Sequence, residues 1–147
     1  MKLDGMIPTK CPPADVARML FVPSTLRKLL PVGCQIDERD GDTIPFVLRR
    51  TVGPVRLNMP GTLTMTERPD GSGFDLLMEA SHLVAGRIRI TMLLQPGLGL
   101  GNLPRLKWQG QVESHGLAAR LIADRTTKIK TAVTTAFVRL HALTLAA

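Results

Sequence analysis

The chain has 147 residues, 44% of them hydrophobic, and a formal net charge of +7 at pH 7. This length suits one domain whose core needs no disulfide or metal for stability. No apolar run reaches the roughly 18 residues of a membrane-spanning helix, and the first residues lack the apolar core of a signal peptide. The charge favours an anionic partner, but an aromatic content of 3% argues against nucleic acids, whose bases stack on aromatic side chains. We therefore expect a cytoplasmic protein without a nucleic-acid partner.

The N-terminal segment is predicted to form a strand and two short helices. Inner and outer residues alternate over 2–9, which predicts a strand, and Pro8 within it predicts an edge or bulged position. The sequence Pro-Pro-Ala-Asp at 12–15 is typical of a helix start. Ser24 is expected to cap a second short helix, whose leucines face the core.

Six strands follow, each joined to the next by a short turn. The clearest covers 55–67, where apolar and polar residues alternate without a break, so that one face is buried and the other meets solvent. The sequence Asp-Gly-Asp at 40–42 is a hairpin signal. The six predicted strands are 35–39, 43–52, 55–67, 74–81, 87–95 and 105–114.

The pattern changes at residue 117. From 117 to 145 the chain contains neither Pro nor Gly, and apolar residues recur at helical spacing, which predicts one long amphipathic helix. The order of elements predicts an α+β helix-grip fold. In it, a curved seven-stranded antiparallel sheet is wrapped on the long C-terminal helix, with two short helices after the first strand. We expect residues 1–147 to form a single domain of this kind.

Neither a catalytic nor a metal-binding arrangement is visible. His82, His115 and His141 do not have the short helical spacing of metal ligands. Two of them directly follow a serine, but neighbours on a strand point to opposite faces and cannot act as nucleophile and base. Cys11 and Cys34 are expected to be reduced, partly buried residues. No catalytic residue, metal ligand or cofactor is assigned.

Arg50 has two open orientations. Alternation with Phe46 and Leu48 places it on the inner face of the sheet, where its guanidinium could orient the polar end of a ligand. A bulge before Gly53 would instead turn it toward solvent. The alternation alone does not decide between them.

A leucine-rich loop and several basic side chains are candidates for docking a partner. The loop 96–104 is rich in glycine, but it joins two strands instead of opening a helix and is not expected to bind phosphate. Its leucines either cap one end of the sheet or form an apolar tip for a partner or a bilayer. The basic residues either form a solvated surface or attract an acidic protein or anionic lipids. The docking candidates are Leu98, Leu100, Arg87, Arg89, Arg125 and Lys128.

Several segments of the chain match a known family, and they are the opening 1–5, the helix start 12–16, the segments 31–34, 52–55 and 61–64, and the 120–122 part of the closing helix. Together they resemble the carbon monoxide dehydrogenase G-subunit family. The family belongs to the superfamily that includes lipid-transfer START domains and polyketide cyclases. The glycine-rich segment usual for this family before its later strands is reduced here to the residues 81–86, which could alter the mouth of a cavity.

This resemblance implies a non-enzymatic accessory protein with an apolar cavity between the sheet and the long helix. Its ligand would be a lipid or a quinone, and its partner a molybdenum hydroxylase-type dehydrogenase or the inner membrane face. A cyclase- or dehydratase-like enzyme that uses Arg50, or an interaction module with a filled interior, are the alternatives. The residues expected to line the cavity are Phe46, Leu48, Arg50, Leu57, Met59, Met78, Ile90, Met92, Trp108, Ile129, Val133 and Phe137.

Overall fold

The protein forms one seven-stranded antiparallel sheet with helices on one face, which confirms the predicted α+β helix-grip fold. The structure is a computed structural model that describes residues 1–9, 12–30, 34–52, 54–84, 86–98, 104–116 and 126–145. The strands follow the order β1-β7-β6-β5-β4-β3-β2 across the sheet. The elements are β1 Lys2–Pro8, α1 Pro13–Leu20, α2 Pro23–Leu29, β2 Cys34–Ile36, β3 Thr43–Val52, β4 Val55–Glu67, β5 Phe74–His82, β6 Gly86–Leu98, β7 Pro104–His115 and α3 Thr126–Leu145.

The first strand lies at an edge of the sheet, as its proline predicts. β1 pairs only with β7, from Lys2 opposite Gln111 to Pro8 opposite Arg105. Leu3 and Ile7 are buried on the inner face, while the residues between them are more exposed. The chain crosses from this edge to the other through the two short helices, and the remaining strands are joined in sequence order.

The two short helices pack their apolar sides on the sheet. In α1, Val16, Ala17 and Leu20 are buried. The prediction that Ser24 caps α2 is wrong, because α2 starts at Pro23 and its N-cap position is Val22, without a side-chain cap. Proline at the first helical position has no N–H to leave unsatisfied, so this helix can start without a capping serine.

Strand β6 extends three residues beyond its predicted end and includes Pro96. The backbone N–H of Val112 in β7 donates to the Met1 carbonyl at 2.8 Å. Since backbone groups alternate in direction along a strand, the even-numbered residues of β7 form their backbone hydrogen bonds with β1 and the odd-numbered residues with β6. By the same alternation, the backbone of Pro96 in β6 faces the side of β5. The β5–β6 pairing begins with Phe74 opposite Leu94, so β5 has no residue opposite Pro96. The missing N–H of Pro96 therefore costs no ladder bond, and the strand continues to Leu98.

The long helix is held near its C-terminal half. Phe137 stacks on Trp108 with ring centroids 4.0 Å apart, and Leu140 is completely buried. Arg139 Nη1 donates to the Leu29 carbonyl at 3.4 Å, which ties α3 to the end of α2. The predicted helix start at 117 lies outside the described residues.

No helix within the described ranges is long and apolar enough to cross a bilayer.

Candidate functional site

One half of the inner face of the sheet is closed by close packing. The side chains of Ile44, Leu94 and Leu106 are completely or almost completely buried, and Phe46 and Phe74 lie among them. The helix α1 covers this half through its contacts with β6 and β7. This region has the dense packing of an ordinary core and offers no room for a ligand.

The other half of the inner face remains partly open. Met78 lies opposite Ile90 in the β5–β6 pair, and both are only half-buried although they point to the inner side. Among the described residues, the main contacts of α3 are with α1, α2 and β1. We call this surface the inner wall. It consists of Leu48, Leu57, Met65, Leu76, Met78, Ile88 and Ile90.

The N-terminal half of α3 lies beside the edge strand β1. Lys128, Lys130 and Thr131 are exposed, and Ile129 and Val133 on the opposite side are half-buried. A cleft of about 290 Å³ separates this half of the helix from the edge strand. Its lining residues are Lys2, Leu3, Asp4, Trp108, Lys130, Val133 and Thr134. Pockets of a few hundred Å³ are the usual size for small-molecule ligands.

The residues predicted to line a cavity fall into two groups. The side chain of Arg50 lies outside the described residues, so neither of its two orientations is tested. Phe46, Met59, Met92, Trp108 and Phe137 are buried. The half-buried members are Leu48, Leu57, Met78, Ile90, Ile129 and Val133.

Three inner-wall residues were not among the predicted cavity residues. Leu76, Ile88 and Met65 are half-buried on the inner side. Alternation along each strand does place them on that face, but it does not distinguish a covered position from an open one. Their exposure depends on where α3 crosses the sheet, and the strand patterns contain no signal for that position.

Cys34 lies at the rim of the inner wall. It is half-buried, pairs with Leu48 across the β2–β3 ladder and therefore shares its face of the sheet. Burial raises the pKa of its thiol. The fraction of reactive thiolate at neutral pH is therefore smaller than in an exposed cysteine.

Alkylation of Cys34 should report on this environment. In a Cys11→Ser variant we expect slow reaction with iodoacetamide at neutral pH and a rising rate as the pH approaches the raised pKa. An apolar molecule on the inner wall should slow the reaction further. Mass spectrometry of the alkylated protein over a pH series measures both effects. An alkylation rate equal to that of a free model thiol at every pH would contradict the burial of Cys34.

The sheet divides at one end of the inner wall. Arg68, which follows β4, donates its N–H to the Gly73 carbonyl at 2.8 Å, so even-numbered residues of β4 direct their backbone groups toward β5. Pro60 is such a residue and has no N–H, and the β4–β5 pairing ends at Gly61 opposite Ala80. Beyond that point β4 pairs only with β3, and β5 only with β6. We call this gap the fork.

The fork contains a pocket of about 310 Å³. Pro60 and Thr62 line it on one side, and Ser81 and Arg87 on the other. Glu79 also lines it and lies 3.5 Å from the guanidinium of Arg89. Gly61 and Ala80 complete the lining, while the other five residues lie on the outer face of the sheet by the alternation of their strands.

The predicted docking residues do not form one surface. Arg87 pairs with His115 at one end of β6, whereas the backbone of Leu98 pairs with Pro104 at the other end. Eleven residues of strand separate them, which is roughly 36 Å. Leu100 and Arg125 lie outside the described residues, as does the side chain of Leu98. Arg89 and Lys128 are exposed, but on the sheet and on α3 respectively.

Within the described residues, no group of three or more histidine, cysteine and acidic side chains could hold a metal ion. His82 contributes to turn structure, because its Nδ1 accepts a hydrogen bond from the Val84 N–H at 3.1 Å. What the described residues offer instead is an apolar surface, the inner wall, that remains partly accessible to solvent.

The chain is similar to several solved structures. A conserved protein from Geobacillus kaustophilus matches at 16% identity with a TM-score of 0.74, covering 99% of this chain and 95% of that one. The protein TTHA0849 from Thermus thermophilus matches at 13% identity with a TM-score of 0.64, covering 99% and 98%. A protein from Rhodobacter sphaeroides matches at 18% identity with a TM-score of 0.58, covering 99% and 93%. At these identities the likeness shows the fold alone.

No protein-family model matches the chain, and no curated protein matches it in sequence.

Proposed function

We propose that this protein binds one apolar small molecule, a lipid or a quinone, against the inner wall. The observation that supports this most is the half-burial of seven inward-facing apolar side chains on the sheet. An interior built only for stability would bury these side chains, because each contributes about 1.5–3 kcal/mol when fully removed from water. A bound apolar molecule would supply the missing cover.

The composition of the inner wall suits a guest of variable shape. Met65 and Met78 are unbranched and flexible, and the remaining members are leucines and isoleucines. Methionine adapts its rotamers to irregular partners at little cost. The described part of the wall has no charged side chain, so affinity would come from apolar contact and not from a specific polar contact.

We further propose that the protein acts without catalysis, as an accessory to a molybdenum hydroxylase-type dehydrogenase. The sequence resemblance to the carbon monoxide dehydrogenase G-subunit family supports this role. A gene neighbourhood that encodes such a dehydrogenase, and co-purification of the two proteins, are the expected results. Neighbouring genes of unrelated function, together with no co-purification, would contradict the role while leaving ligand binding intact.

Native mass spectrometry of gently purified protein tests the ligand proposal. We expect a fraction of the molecules to carry one additional apolar molecule, which solvent extraction then releases for identification. Denatured protein from the same preparation is the control, since it should have the mass of the chain alone. A single unliganded species before and after incubation with lipids and quinones would contradict the proposal.

A further inference from the structure

The end of the sheet that contains the fork carries the most exposed apolar side chains of the described chain. Leu83 and Val84 form the tip of the β5–β6 hairpin, with relative exposures of 105% and 70%. An exposed pair of this kind lowers solubility and gains nothing from packing within the chain. Such patches commonly mark sites of contact with a partner or a membrane.

The same end is strongly basic. We call it the basic end, and it comprises 48–52, 54–60, 81–84, 86–87 and 115–116. These segments carry four arginines and contain no aspartate or glutamate. Arg49, Arg56 and Arg87 are exposed there. The described turns at the opposite end of the sheet, 37–42 and 68–73, carry five carboxylates against two arginines. The molecule is therefore polarised along its strands.

We propose that the basic end docks on a bilayer that contains anionic lipids, with Leu83 and Val84 inserted at the level of the headgroups. Each arginine near an anionic surface adds electrostatic attraction, and the apolar tip adds insertion into the interface. A nucleic acid would complement the positive charge, but it would not bury the aliphatic side chains of Leu83 and Val84. The bilayer accounts for both observations.

The position of the fork agrees with this orientation. Arg87 lines the pocket of about 310 Å³ in the fork, beside Ser81 and next to the hairpin tip. In the docked orientation this pocket faces the lipid headgroups, and an arginine is a good partner for a phosphate. Leu57 of the inner wall lies on β4, which borders the fork, and Ile88 lies on β6 opposite Ala80. The docked protein would thus turn this end of its inner wall toward the membrane.

Flotation of the full chain with lipid vesicles tests this proposal without any ligand. Vesicles of equal parts phosphatidylcholine and phosphatidylglycerol are expected to bind the protein, and more weakly as salt is added. Vesicles of phosphatidylcholine alone are expected to bind it at least about tenfold more weakly. The double variants Leu83→Ser/Val84→Ser and Arg56→Gln/Arg87→Gln should each lose about tenfold in affinity for the anionic vesicles.

Matched changes elsewhere serve as controls. Val138→Ser removes an exposed apolar side chain from α3, and Arg39→Gln/Lys107→Gln removes two exposed charges at the opposite end of the sheet. Both should bind vesicles as the unchanged protein does. Tip variants that bind as tightly as the unchanged protein would overturn the proposal. So would binding to a polyanion such as heparin, with the same dependence on Arg56 and Arg87, in the absence of vesicle binding.

The vesicle experiment and the ligand experiment fail independently. A protein that carries an apolar ligand but ignores anionic vesicles retains the proposed function and refutes the docking surface. A protein that binds the vesicles through its basic end but carries no ligand supports the docking surface and refutes the proposed ligand binding.

Discussion

Replacement of Gly5 by alanine is expected to lower the free energy of unfolding by about 2–3 kcal/mol. Gly5 lies opposite Trp108 in the β1–β7 pair, and the indole occupies the space that a side chain would need. A Cβ at this position would lie only 2.7 Å from Cη2 of Trp108. The indole is 2% exposed and is held by its stack with Phe137, so it cannot move without disturbing α3.

Urea denaturation measures this effect, and the emission of Trp108, the single tryptophan of the chain, reports the local change. Gly97→Ala is the matched control within the sheet. A Cβ there would meet its nearest neighbour, the Cβ of Lys107, at an ordinary distance of 3.7 Å. Its stability should change by less than about 1 kcal/mol. Equal stabilities of the two variants would contradict the packing described for Trp108.

Replacement of Ile90 by glutamate is expected to weaken the binding of a neutral apolar molecule by about tenfold or more. Ile90 is half-buried at the centre of the inner wall, opposite Met78 and Val112 on its two neighbouring strands. A carboxylate can reach water there, so the fold should persist. The ligand, however, would have to cover a charge or leave that part of the wall empty.

Thr91→Glu is the control for this variant. Thr91 is the next residue of β6 and is exposed on the outer face of the sheet, so the same charge is added without touching the inner wall. It should leave ligand affinity unchanged. Unfolding of the Ile90 variant under conditions where the Thr91 variant is stable would indicate a filled interior and would count against a ligand-binding wall.

The sheet could be predicted from the sequence because its signals are local. The uninterrupted alternation of β4 fixed both its limits, Val55–Glu67, and its buried face. The predicted limits were wrong where backbone hydrogen bonding, and not the side-chain pattern, determines the end of an element. The pattern predicted that β6 ends before Pro96. The strand continues to Leu98, because the position of the missing Pro96 N–H faces a side where no strand pairs with β6. The pattern also placed a cap at Ser24, although Pro23 begins the helix.

The candidate site could be predicted only in part. Hydrophobic alternation placed Met78 and Ile90 on the inner face, where they are half-buried. It placed Leu94 on the same face, but Leu94 is completely buried. The difference depends on which strands α1 and α3 cover, and this follows from the three-dimensional path of the helices. Leu83 and Val84 are exposed because they lie in the turn between β5 and β6, a position that their apolar character does not predict.

Titration of the unchanged protein with retinol tests the central claim most directly. Retinol is neutral and apolar, and it absorbs light at the wavelengths that tryptophan emits. Because Trp108 is the single tryptophan and lies on the inner side of the sheet beside α3, energy transfer from it reports a ligand bound there. Ligand binding against the inner wall predicts saturable quenching of Trp108 at one retinol per chain, reversed by competing lipids or quinones. Quenching that rises linearly without saturation, as for free tryptophan, would contradict it.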